Sequence, residues 1–133
     1  MSASIIPTMP YRDAAAAIDW LCRAFGFSRH AVYPDGAGGV AHAQLIFGNG
    51  MIMLGTASDE GSGSIQYPPA GHVTQSAYVV VKDADAHHAR ARREGAEIVA
   101  PLKDEAHGGR GYSCRDLEGH LWHFGTYDPW AKA

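Results

Sequence analysis

Histidine and cysteine are the side chains of this chain that suggest metal or nucleophilic chemistry, and the sequence holds eight histidines and two cysteines. His87 and His88 are adjacent in a predicted helix, so their side chains diverge by about 100° and cannot hold one ion together. His42, His120 and His123 are candidates for an unusual metal site, but strand alternation places His120 and His123 on opposite faces. The histidine spacing therefore does not predict a metal centre.

The two cysteines, Cys22 and Cys114, form no metal-binding or redox spacing motif. We expect each to be a small buried apolar side chain in a reducing cytoplasm. Cys114 as a nucleophile is the weaker interpretation, since no base lies near it by spacing. The first residues lack the positive charge and the apolar core of a signal peptide, so we expect a cytoplasmic protein.

Composition indicates an ordinary soluble domain. The chain has 133 residues, 46% apolar and 19% charged, which suits a single domain over residues 1–133. A net charge of -3 indicates neither nucleic-acid nor membrane partners. No apolar run approaches the roughly 20 residues that a membrane helix needs.

The elements that must position the chemistry recur at one offset along the chain. An Asp-initiated helix candidate begins at Asp13 and another at Asp83. A strand-like segment with a glycine turn at 47–55 (FGNGMIMLG) is answered by 117–125 (LEGHLWHFG), again 70 residues later. The sequence therefore predicts two similar modules, with a ligand site between them.

Each half reads as a strand, a helix and three strands. In the first half, strands are predicted from Ser4 to Met9, Phe27 to Tyr33, Val40 to Phe47 and Met51 to Leu54, with a helix from Asp13 to Gly26. In the second half, strands are predicted from Val73 to Val81, Ala96 to Ala100, Gly111 to Arg115 and His120 to Tyr127, with a helix from Asp83 to Glu94. Module one spans about 1–56, a Gly, Ser and Pro rich linker spans 57–71, and module two spans 72–133. Asp128, Pro129 and Trp130 are expected to tie down the end of the chain.

This repeat, together with the segments HAQLIFGNGMIML, EGAEIVAPL and RDLEGHLWHFGTYDPW, resembles the vicinal-oxygen-chelate superfamily and, within it, the PhnB-like branch. That superfamily includes glyoxalase I, extradiol dioxygenases, fosfomycin-resistance enzymes and bleomycin-resistance binding proteins. The resemblance implies an α+β fold in which two βαβββ modules form paired half-barrel cups around one cavity. It also implies a homodimer.

Metal-using members of that superfamily place one ligand on the first and one on the last strand of each module. By the resemblance, those four places fall on Pro7, Met53, Ser76 and His123. Proline has no donor, and a thioether or a neutral hydroxyl is a poor ligand for a hard divalent ion. A catalytic zinc site typically needs about three protein ligands. We therefore expect no bound metal and no other cofactor.

In such a cup, each strand has one face toward the cavity and one toward a helix. With His123 facing the cavity, Trp122 and Phe124 should pack beneath a helix, although ligand stacking by Trp122 is an alternative. Met51 and Met53 face inward by the same alternation. The flexible thioethers suit either an irregular ligand or plain core filling.

Polar residues complete the predicted site. His42 and Gln44 share one strand face, which lines either the cavity or the solvent surface. Arg110 lies at a strand mouth, where it either binds an anionic group or pairs with Glu118 or Asp104. The predicted ligand-binding residues are His42, Gln44, Met51, Met53, Ser76, Tyr78, Arg110, Tyr112, Cys114 and His123.

These residues favour a metal-independent protein that sequesters or senses a small amphipathic molecule. One alternative is a metal-dependent lyase, isomerase or dioxygenase of the same superfamily with an unusual metal site. Another is a protein whose role is dimerisation or partner contact.

Overall fold

The computed structural model describes residues 4–57 and 73–131. The chain divides into two compact units, Met1–His72 and Val73–Ala133. Each unit contains one helix and one four-stranded sheet. The predicted linker at 57–71 lies outside the described residues apart from Ala57.

The first unit has the order strand, helix, three strands. Its elements are β1 (Thr8–Tyr11), α1 (Ala14–Phe25), β2 (Ser28–Pro34), β3 (Val40–Phe47) and β4 (Gly50–Thr56). The strands lie in the order β1-β4-β3-β2, with β1 parallel to β4 and the other neighbours antiparallel. Helix α1 packs against all four strands.

The second unit repeats this order. Its elements are β5 (Ala77–Val80), α2 (Ala84–Arg93), β6 (Glu97–Asp104), β7 (Arg110–Arg115) and β8 (Leu121–Gly125). The strand order β5-β8-β7-β6 matches that of the first sheet, with β5 parallel to β8. The predicted α+β class and the two βαβββ modules are therefore confirmed.

Aspartate caps begin both helices. The side chains of Asp13 and Asp83 accept hydrogen bonds from the main-chain N–H groups of Ala16 and Ala86, each at 3.0 Å. Such bonds satisfy donors that the first helical turn leaves without a partner. Gly26 ends α1 in the left-handed conformation, with φ of 88°, which glycine adopts without a steric penalty.

The repeat offset survives in the pairing of the parallel strands. Thr8 pairs with Met53 in the first sheet, and Tyr78 pairs with His123 in the second. Both partners are 70 residues further along the chain in the second unit, so Met53 and His123 occupy the same register position.

The antiparallel hairpins break this offset by one residue. Gln44 pairs with Met53, whereas Ser113 pairs with His123, so β7 follows β3 by 69 residues. The β3–β4 turn contains two residues between Phe47 and Gly50, while residues 116–120 separate β7 from β8. Because side chains alternate along a strand, a shift of one residue exchanges the two faces.

Two prolines lie inside edge strands instead of ending them. Pro10 lies in β1 and Pro101 in β6, where the sequence predicted that strands stop. Each strand is at the edge of its sheet, where a missing N–H costs no ladder bond on the outer side. Strand β6 also contains register shifts near Ala100, which interrupt its pairing with β7.

The core of each unit lies between its sheet and its helix. In the first unit, the fully buried side chains include Tyr11, Leu21, Phe25, Leu45 and Leu54. In the second unit, Trp122, Phe124 and Cys114 are the large buried side chains. Across the described residues, no helix is both long and apolar enough to cross a membrane.

Candidate functional site

A chain of three polar side chains lies on the second sheet, on the face opposite α2, which we call the helix-distal face. His123, at the middle of β8, has a hydroxyl beside each ring nitrogen. Its Nδ1 lies 2.6 Å from Ser113 Oγ on β7, and its Nε2 lies 2.9 Å from Ser76 Oγ just before β5. The pairing of Ser113 with His123 in the β7–β8 ladder holds the first contact in place.

An open cavity of about 200 Å³ adjoins this chain. Its lining comes entirely from the second unit and consists of Tyr78, Glu105, His107, Gly108, Arg110, Gly111, Tyr112, Ser113, His123, Phe124, Gly125 and Tyr127. Gly111 and Gly125 pair with each other in the ladder, so no side chain rises from that part of the floor. The cavity is therefore small and mixed in polarity.

Aromatic side chains form one wall of the cavity. Tyr78 lies over Gly125, and its hydroxyl donates to the main-chain oxygen of Tyr127 at 2.6 Å. The Tyr127 ring meets the His107 ring edge to face, with centroids 4.8 Å apart. Burial raises the pKa of Tyr78, and the nearby carboxylates of Asp128 and Glu105 act in the same direction. The Tyr78 phenol therefore remains a neutral hydrogen-bond donor at physiological pH.

The helix-distal face of the first sheet carries the other predicted residues. On β3, the side-chain nitrogens His42 Nε2 and Gln44 Nε2 lie 3.2 Å apart, and both residues are half-buried. Tyr33 pairs with His42 across the ladder, with ring centroids 6.0 Å apart. Met51 and Met53 on β4 are half-buried, whereas Ile52 and Leu54 are buried toward α1. The predicted alternation of the methionine strand is therefore confirmed.

The prediction that Tyr112 and Cys114 face inward with His123 is wrong. Tyr112 pairs with Phe124 and Cys114 pairs with Trp122, so both side chains share the face toward α2. The Tyr112 hydroxyl lies 2.6 Å from Nδ1 of His87 on that helix. The one-residue shift of β7 described above is the cause.

Burial also removes the thiol of Cys114 from consideration as a nucleophile. Its side chain is fully buried, at 0% exposure. Burial raises the pKa of Cys114 to about 12, and Asp116 adds to the effect. The reactive thiolate is therefore scarce at neutral pH. Cys22, which is half-buried, also has a raised pKa, again chiefly because of burial.

Arg110 is engaged by carboxylates at the cavity margin. Its Nε donates to Asp85 at 3.3 Å and its NH1 donates to Asp104 at 3.4 Å. Of the two interpretations of this arginine, the ion pair with Asp104 is the one observed, and Asp85 is an additional partner. Trp130 does not tie down the chain end as predicted, since 93% of it is exposed.

Asp116 links the β7–β8 turn to the core. One of its oxygens accepts from the main-chain N–H groups of Glu118 and His120, each at 3.0 Å. The other accepts from the indole N–H of Trp122, also at 3.0 Å. Asp116 is 6% exposed, so the motif RDLEGHLW sets the turn that holds His123 in register.

The four places at which metal-using relatives carry ligands do not fit a metal here. Pro7 contributes only its main-chain oxygen, which accepts from the N–H of Met53 at 2.9 Å. Ser76 and His123 contact each other, so one imidazole and one hydroxyl are the usable donors. Among residues 4–57 and 73–131, no three His, Cys, Asp or Glu side chains lie together as a metal-binding group. The alternative set of His42, His120 and His123 is therefore not assembled.

Four cavity residues were missed by the sequence analysis: Glu105, His107, Ser113 and Tyr127. Ser113 was missed because the faces of β7 were exchanged. Glu105 and His107 lie in the turn between β6 and β7, where no alternation predicts direction.

Comparison with known proteins gives the family. The profile of the Glyoxalase/Bleomycin resistance protein/Dioxygenase superfamily matches residues 6–124. An uncharacterized protein of Mycobacterium tuberculosis (strain H37Rv) is 30% identical over 124 residues, covering 92% of this chain and 73% of that protein. The crystal structure of TioX from Micromonospora sp. ML1 is 36% identical, with a TM-score of 0.75 over 93% of this chain and 98% of that one.

A more distant structure shares the fold. The fosfomycin resistance protein FosX from Mesorhizobium loti matches with a TM-score of 0.69 at 15% identity, over 97% of this chain and 95% of that chain. The repeated βαβββ units and the extent of the profile match lead to one conclusion: the chain belongs to the glyoxalase/bleomycin resistance protein/dioxygenase superfamily.

Proposed function

We propose that this protein binds a small amphipathic molecule without a metal ion, and that it sequesters or senses that molecule. The observation that carries the proposal is the side-chain chemistry at the four ligand places. Pro7 and Met53 offer no hard donor, and Ser76 and His123 hydrogen-bond to each other. An imidazole and a neutral hydroxyl are too few ligands for a catalytic metal, which commonly takes three protein ligands.

The composition of the helix-distal faces supports an amphipathic ligand. The second unit offers the rings of Tyr78 and Tyr127 beside the polar pair Ser113 and His123. Ligand pockets commonly combine apolar walls with a few polar groups that fix orientation. In the first unit, the thioethers of Met51 and Met53 lie beside the polar His42 and Gln44, and flexible thioethers adapt to irregular shapes.

The names of similar proteins agree with this class of function. The matching profile includes bleomycin resistance proteins, and the FosX structure is that of a fosfomycin resistance protein. A resistance role for the present chain, through capture of a toxic compound, is part of the proposal. The PhnB-like branch remains a finer hypothesis within the same family.

A fluorescent probe and a metal analysis test the proposal together. The probe is 1-anilinonaphthalene-8-sulfonate, an amphipathic aromatic anion, titrated into the folded protein with and without EDTA. We expect saturable binding that EDTA does not change. Ser113→Leu, which fills the cavity floor, should weaken probe binding about tenfold, equivalent to about 1.4 kcal/mol. Ala89→Leu adds the same side chain at an exposed position of α2 and should leave binding unchanged.

Metal analysis supplies the opposing outcome. Protein purified without chelator should contain far less than one equivalent of Mn, Fe, Ni or Zn. Stoichiometric metal that disappears in His123→Ala would refute metal independence and favour the metal-dependent enzyme.

A further inference from the structure

The three polar side chains Ser76, His123 and Ser113 have the connectivity of a nucleophile, a base and a residue that orients the base. Ser76 Oγ lies 2.9 Å from His123 Nε2, and Ser113 Oγ lies 2.6 Å from His123 Nδ1. Both distances are within the range in which a positioned base takes a proton from a hydroxyl. The chain of contacts lies entirely within the second unit, so it needs no other part of the protein.

Hydrogen-bond accounting shows how this chain operates. A neutral imidazole has one N–H donor and one lone-pair acceptor, and serine hydroxyls serve in either role. In one tautomer, Nδ1–H donates to Ser113 and the Ser76 hydroxyl donates to Nε2. In that tautomer, His123 holds the basic lone pair toward Ser76, as the base does in a serine hydrolase.

Access to the hydroxyl distinguishes Ser76 from the other nucleophiles near the cavity. Ser76 is exposed, whereas the Cys114 thiol is fully buried. His123 itself lines the open cavity of about 200 Å³ together with Tyr78 and Tyr127. That volume and those rings suit a small aromatic or acyl group placed next to the Ser76–His123 pair.

We propose that Ser76 accepts acyl groups from activated esters, with His123 as its general base. In the first step, a bond forms between Ser76 Oγ and the ester carbonyl carbon while the Ser76 proton moves to His123 Nε2. The ester C–O bond then breaks, and the departing aryl oxide takes the proton from His123. In the second step, water attacks the acyl-serine with His123 again as base, which releases a carboxylic acid and restores the Ser76 hydroxyl.

Ser113 sets the substrate class. It is a positioning residue, because it contacts His123 and not the ester. A neutral hydroxyl stabilises the imidazolium less than the carboxylate of a serine-hydrolase triad does. The pair should therefore act on aryl esters, whose leaving groups depart readily, and not on amides.

The test uses p-nitrophenyl acetate with the full chain. Release of p-nitrophenolate gives the rate, and peptide mass spectrometry locates the acetyl group. We expect acetylation of Ser76 that is absent in Ser76→Ala. His123→Gln should slow it about a hundredfold, at the lower end of what a general base contributes. Ser28→Ala removes an exposed serine of the first unit and should leave the rate unchanged.

A second pair of variants examines the positioning role. Ser113→Ala should lower kcat with little change in KM, and Ser113→Thr, which restores a hydroxyl on a strand, should recover the rate. Far-UV circular dichroism confirms that each variant is folded, and Ser76→Ala, at an exposed position, keeps the test available if a change at His123 impairs folding.

The proposal is overturned if acetyl groups accumulate at Ser76 no faster than at Ser28, or if His123→Gln leaves the rate at Ser76 unchanged. Neither result affects probe binding or metal content, so failure of this proposal is distinguishable from failure of the proposed binding function.

Discussion

Replacing Trp122 by alanine should threaten the fold, whereas replacing Met53 by glutamate should not. The two residues lie on the last strands of corresponding sheets but on opposite faces. Trp122 is 0% exposed and packs toward α2 beside Phe124, with nearly parallel rings at 6.0 Å. Met53 is half-buried on the helix-distal face of the first sheet.

The magnitude for Trp122→Ala follows from two losses. A buried tryptophan replaced by alanine costs about 3–5 kcal/mol through lost burial and the remaining cavity. The indole N–H also donates to Asp116 at 3.0 Å, and a hydrogen bond to a charged group contributes about 1.5–3 kcal/mol. The two terms overlap, so we expect a loss of at least about 4 kcal/mol. That is a large share of the roughly 5–15 kcal/mol that a domain of this kind has available.

Trp122→Phe separates the two losses. It keeps an aromatic ring in the core but removes the donor to Asp116, so it should cost about 2 kcal/mol. Met53→Glu places a carboxylate where water can reach it, and it should change the free energy of unfolding by less than about 1 kcal/mol.

Urea unfolding at neutral pH, followed by far-UV circular dichroism, measures all three variants without depending on tryptophan fluorescence. The expected order of stability is wild type, Met53→Glu, Trp122→Phe and Trp122→Ala. If Met53→Glu unfolds the protein while Trp122→Ala leaves its midpoint unchanged, the assignment of strand faces is wrong.

Three further predictions concern the helix cap, a turn and the alkaline limb of stability. Asp83→Ala should cost about 1 kcal/mol in urea unfolding, because the side-chain bond to the N–H of Ala86 is lost. Gly109→Ala should lower the melting temperature, since φ is +70° and an added Cβ would lie 2.6 Å from the main-chain nitrogen of Tyr127; a melt equal to wild type would contradict the turn geometry. Burial raises the pKa of Cys114 from 9.0 to about 12, so its contribution is present below pH 9 and is lost as the unfolded thiol ionises above it. Stability should fall by about 2 kcal/mol from this group by about pH 10.5, and Cys114→Ala should show a correspondingly shallower decline between pH 8 and 10.5 in chemical unfolding.

Local features of the sequence determined the elements and their order. Asp13 and Gly26 delimit the first helix because capping and left-handed glycine act over a few residues. The alternation in 40–47 determined both the bounds of β3 and the face of Leu45. The 70-residue offset predicted the repeated βαβββ units, and the parallel pairing of Tyr78 with His123 preserves that offset.

Strand limits at the sheet edges depended on the neighbours of each strand. Pro101 has the same local chemistry in an edge strand as at a strand end, and only the position of β6 beside a single partner allows the strand to continue through it. Trp130 looked like an anchor because tryptophan is usually buried, but no local rule specifies what it would pack against, and the structure leaves it exposed.

Tertiary structure decided the residues of the candidate site. Alternation defines two faces of β7 but does not say which one meets the helix, and the five-residue turn held by Asp116 makes that choice. That register directs Tyr112 to His87 on α2 and sets Ser113 beside His123. Ser76, on a third strand segment, reaches the same imidazole only when β5 pairs with β8. Residues distant in sequence meet through ladder register, and a register differing by one residue exchanges every side chain between the faces of a strand.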